Sequence, residues 1–69
     1  MTYEQLRKVE KEFSTYLSAK PFFISTKVKM VEELGEFALW VFYKKGMTSK
    51  TKREIATELG DIPLKWQEI

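Results

Sequence analysis

Neither cysteine nor histidine occurs anywhere in the chain. No disulfide can staple it, no thiolate can hold a metal, and imidazole acid–base chemistry is ruled out. At 69 residues it has room for one small domain, residues 1–69. A domain of that size buries only roughly 60% of the surface its unfolded chain exposes. Ordering it costs on the order of 100 kcal/mol of conformational entropy. The missing staples point to added stability from self-association, from a hard cation held by oxygen ligands, or from both. A net charge of +2 is too small to argue for nucleic acid as a partner. No apolar run reaches the ~18 residues a membrane span requires, and the first residues lack the apolar core of a secretion signal. The expected location is the cytoplasm.

Apolar periodicity predicts three helices. Over residues 2–19, Leu6, Val9, Phe13, Tyr16 and Leu17 recur at helical spacing, with Thr2 as N-cap. Pro21 then disfavours helical geometry at Lys20 and marks a turn. Over residues 26–45, Val28, Val31, Leu34, Gly35, Ala38, Leu39 and Phe42 form a stripe, and Gly46 is the expected C-cap. Over residues 50–62 the stripe is Ile55, Leu59 and Ile62, with Ser49 capping the start. Pro63 ends this helix or kinks it into a continuation reaching residue 68. The predicted fold class is all-α: a three-helix antiparallel arrangement, completed into a larger bundle by oligomerisation as a homodimer or homotetramer.

Two acidic clusters carry the chemistry. Glu32-Glu33-Leu34-Gly35-Glu36 lies within the second predicted helix and Glu58-Leu59-Gly60-Asp61 within the third. In a helix, residues three apart share a face and like charges there repel. If the two helices pack side by side, Glu33, Glu36, Glu58 and Asp61 can converge on a cation such as Mg²⁺. That cation keeps several waters and leaves positions for phosphate oxygens. The alternative is ordinary solvated surface, where Glu pairs at this spacing abound. Phe37 and Trp40 near Glu33 weigh against a plain solvent face.

Other residues admit two readings each. Lys29 either touches a phosphate or pairs with Glu33 one turn on. Trp40, with Phe22, Phe23 and Phe37, either stacks on a nucleobase or packs in a core or interface. Lys44, Lys45, Lys50, Lys52 and Arg53 crowd the connector between the second and third helices. They either attract phosphate or nucleic acid, or serve helix ends and solubility.

The ordered pair of motifs, Glu-Glu-x-x-Glu and then Glu-x-x-Asp, resembles the MazG-type nucleotide pyrophosphohydrolases of the all-α NTP pyrophosphatase superfamily. The resemblance runs from about Phe22 to Ile62. It implies a house-cleaning hydrolase that uses Mg²⁺, with Mn²⁺ as a substitute. The enzyme would cleave a nucleoside triphosphate between the α and β phosphates, releasing a monophosphate and pyrophosphate. By position, Glu33, Glu36, Glu58 and Asp61 would be the metal ligands, and Glu32 would assist catalysis through a further metal or by orienting the attacking water. Lys29 and Trp40 would contact substrate. The rival expectation is a non-catalytic helical oligomer, or a shortened family member, that retains an acidic metal-binding face. The chain places Pro63 two residues beyond Asp61 and stops at Ile69, where the family continues into a further helix.

Overall fold

A computed structural model describes residues 1–69 and overturns the all-α expectation. The chain is a small α/β fold, 38% helix and 32% strand. Its elements are α1 (Tyr3–Glu12), α2 (Ser14–Ser18), β1 (Phe23–Val31), β2 (Glu36–Tyr43), α3 (Ser49–Leu59) and β3 (Leu64–Glu68). The sheet is mixed, in the order β1-β2-β3, with β1 antiparallel and β3 parallel to β2. No helix is long and apolar enough to cross a membrane.

The first predicted helix is present, broken after Glu12 into α1 and the short α2. Thr2 caps it through a full capping box. The Gln5 amide donates to the Thr2 hydroxyl, and the Gln5 side chain accepts from the Thr2 amide at 2.8 Å. The third predicted helix is α3, capped by Thr48 rather than Ser49. It ends at Gly60, whose φ of 80° lies in the left-handed region.

The correction falls on residues 26–45, where a hairpin replaces the long helix. β1 alternates Thr26, Val28 and Met30 with Lys27, Lys29 and Val31, the period of a strand. Five of the last seven residues of β2 are aromatic or β-branched: Phe37, Trp40, Val41, Phe42 and Tyr43. Such side chains lose rotamer freedom in a helix and suit a pleated surface. Between the strands, Glu32-Glu33-Leu34-Gly35 forms the reversing turn. The Gly35 amide donates to Val31 O at 2.9 Å with φ at 65°. A glycine that would cost a helix ~1 kcal/mol supplies the positive φ this turn requires.

Pro63 likewise starts a strand instead of kinking a helix. Its carbonyl accepts from the Leu39 amide at 2.9 Å and opens the β2–β3 ladder, where its missing N–H is no loss. The ladder then pairs Leu39, Trp40 and Val41 with Leu64, Lys65 and Trp66.

All three helices pack on one face of the sheet. Leu6 and Leu17 from the first two, with Ile55 and Leu59 from α3, meet Val28, Leu39, Tyr43 and Met47 in a single core. Glu10 of α1 accepts a 2.6 Å hydrogen bond from the Thr26 hydroxyl, fixing the helix over β1. Tyr3 closes the end of this layer edge-on against Phe37, with ring centroids 5.5 Å apart. This packing buries an apolar core within one chain.

Candidate functional site

With the helices on one side, the pleat sends every other strand residue to a face that no helix covers. The register defines that face. Lys27 and Lys65 flank Trp40 from β1 and β3, Lys29 pairs with Ala38, and Ser25 and Gln67 flank Phe42. Trp40 is its centre. The Lys29 ammonium sits 4.7 Å from a ring centroid of Trp40 and the Lys65 ammonium 5.9 Å. Both distances lie in the range where an aromatic quadrupole attracts a cation. The Trp40 indole N–H is buried and has no hydrogen-bond acceptor. An orphaned donor of this kind costs about 1–3 kcal/mol and calls for an explanation.

Beside Trp40 lies an open cavity of about 280 Å³ that includes Lys29, Lys65, Glu32 and Glu33 in its lining. The face is therefore polarised along the hairpin. Carboxylates Glu32, Glu33 and Glu36 stand at the turn end, lysines 27, 29 and 65 at the centre, and exposed Lys44 and Lys45 just past β2. The Lys29–Trp40 contact is a diagonal one across two antiparallel strands, a geometry within reach of long side chains. The sequence pairs these two residues as substrate contacts on a helix. The fold brings them together by a different route, and Lys29 makes no ion pair with Glu33.

The expected metal site is not assembled. Glu32 and Glu33 are in the hairpin turn, and Glu36 is the exposed first residue of β2. Glu58 lies near the end of α3, in a separate cleft of about 550 Å³ with Tyr16, Lys20 and Glu54. Asp61 is exposed in the loop after α3. No three acidic side chains gather into a group able to hold a metal ion. The physical reason is the strand period. The helical face that would align Glu33 and Glu36 with Glu58 and Asp61 is absent, because Glu33 lies in the turn and Glu36 opens β2.

The basic connector is also divided. Lys52 turns inward, donating to the Tyr43 hydroxyl at 2.8 Å with its ammonium 4.1 Å from the ring centroid. Lys50 and Arg53 border the α2–α3 cleft. Lys65 is a site residue the sequence reading missed. Its signal was the alternation of Leu64 and Trp66 with Lys65 and Gln67 after a proline, a short strand pattern. Comparison with protein-family models, curated proteins and solved structures finds no match to the chain.

Proposed function

We propose that the protein binds single-stranded nucleic acid across the helix-free face of its sheet. The observation that carries this reading is Trp40, set at the centre of that face between Lys29 and Lys65. An aromatic ring with lysines around it meets both parts of a nucleotide, the base by stacking and the phosphate by charge. Stacking needs an unpaired base, and this face of the sheet has no helix to insert into a duplex groove. A single strand is thus the form that fits.

The energetics favour exchange of the lysines for a base. A cation–π contact at an accessible site contributes ~0.5–1 kcal/mol, whereas base–aromatic stacking contributes ~1–3 kcal/mol. A base that displaces Lys29 from the ring gains on balance, and the freed ammonium is beside the incoming phosphate. Hydrolysis of nucleoside triphosphates at a carboxylate-held Mg²⁺ draws no support from this geometry, because no three carboxylates gather into a group able to hold a metal ion.

The test is a titration of a labelled single-stranded oligonucleotide, followed by fluorescence anisotropy, with the wild type and Trp40→Ala. Saturable binding that weakens by roughly 5- to 150-fold in the variant is the expected result, matching the stacking range. Equal binding by both proteins, or none by the wild type, overturns the proposal.

A further inference from the structure

We infer that the cavity beside Trp40 is a base-reading subsite that selects guanine. The inference rests on the strand-binding reading and adds the identity of the base. Four charged side chains line this cavity of about 280 Å³: the carboxylates of Glu32 and Glu33 and the ammoniums of Lys29 and Lys65. An ionised carboxylate only accepts hydrogen bonds and an ammonium only donates them. A base stacked on Trp40 with its edge in this cavity must therefore offer donors on one side and acceptors on another.

Guanine alone offers two adjacent donors, N1–H and the exocyclic N2 amino group, spaced to meet the two oxygens of one carboxylate. Its O6 and N7 acceptors point along a different edge, suited to a lysine ammonium. Thymine and uracil have a single N–H between two carbonyl oxygens, which a carboxylate repels. Adenine and cytosine have one amino group next to a ring-nitrogen acceptor, so a carboxylate can take only one bond from them. The turn fixes only the backbone that carries these carboxylates: the Leu34 and Gly35 amides both donate to Val31 O, at 3.1 and 2.9 Å. Neither carboxylate is drawn into an ion pair within the chain, so both remain free to accept from a base.

The experiment compares oligo-dT carrying one central dG with the same strand carrying dT, dA, dC or deoxyinosine at that position. The dG strand should bind about tenfold more tightly than the others, in line with a bidentate contact. Deoxyinosine retains O6 and N7 but lacks the N2 amino group, so it should lose most of that preference. The Glu32→Gln/Glu33→Gln double variant should bring the dG to dT affinity ratio close to one. Free GMP should compete only at concentrations well above those of the dG strand. Strands that bind without base preference, or a preference that survives the double variant, overturn the guanine assignment while the strand-binding reading stands. GMP competing as well as the dG strand overturns it as a strand subsite. Failure of every strand to bind overturns both.

Discussion

If the lysines around Trp40 meet phosphates, the affinity must fall with salt by a calculable amount. Lys27 and Lys65 occupy matching positions on the strands either side of Trp40, roughly 10 Å apart at ~4.8 Å per strand. Lys29 lies two residues along β1 from Lys27, so roughly 7 Å away. Three separate ammoniums can thus neutralise three phosphates of one strand. For single strands the slope of log affinity against log salt is about −0.7 per neutralised phosphate, or about −2 here. Raising salt from about 50 to about 200 mM should then weaken binding by roughly 20-fold. Replacing Lys65 by Gln removes one contact. The slope should drop to about −1.4, and the same salt increase should cost only roughly sevenfold. Lys27→Gln and Lys29→Gln should each have a similar effect. Lys8→Gln, an exposed residue of α1 in the helical layer on the other side of the sheet, should leave the slope unaltered. Anisotropy titrations of a labelled oligo-dT at several salt concentrations measure each slope directly. A wild-type slope near zero, or a slope that none of the three sheet-face variants reduces, would refute the placement of phosphates on this face.

Stability and metal dependence give further checks. Leu39 is fully buried at the junction of both ladders and the core, so Leu39→Ala should cost about 2–5 kcal/mol. At ~4–8 °C per kcal/mol for a domain of this size, thermal circular dichroism should record a fall in Tm of at least about 8 °C. Gly46 has φ at 120°, and a Cβ there would stand 2.9 Å from Cε1 of Phe22. Gly46→Ala should therefore cost about 1–3 kcal/mol in urea unfolding. Adding Phe22→Ala should relieve the contact but not the backbone strain. Mg²⁺ should leave Tm unchanged beyond the effect of matched monovalent salt, because no carboxylate group is assembled to bind it. A rise in Tm that Asp61→Asn abolishes would reinstate the carboxylate site.

Much of the helical layer was legible in the sequence because its signals are local. Thr2 with Gln5 three residues later is a capping box in any context. Pro21 stops the first helical region, and the Ile55–Leu59 pair marks the inward face of α3. The sheet was misread because residues 23–43 satisfy two periods at once. Val28, Val31, Ala38, Leu39 and Phe42 fit a helical stripe, yet Val28, Leu39, Val41 and Tyr43 fit a strand. Residue type decides between these patterns. The aromatic and β-branched run of β2 favours the pleat, and Glu32-Glu33-Leu34-Gly35 between two such runs has a glycine where a hairpin needs positive φ. Treating that glycine as a helical residue lengthened the helix and carried the acidic motif with it.

The candidate site failed in the sequence for the same reason, because a constellation read at period 3.6 dissolves at period 2. Glu33 falls in the turn and Glu36 at the start of β2, while Glu58 stays on α3 and Asp61 in its exit loop, and no three of them gather into a metal-holding group. Lys29 and Trp40 survive as a pair because the antiparallel register sets Lys29 opposite Ala38, two residues from Trp40 on the same face. Lys65 joins them through the parallel register, and no local pattern encodes that pairing. It depends on α3 returning the chain beside β2, which is long-range information. The face that results places an aromatic ring, three lysines and a carboxylate-lined cavity on the side the helices leave open. Burying Trp40 with an unsatisfied indole N–H on that side costs stability the core does not require.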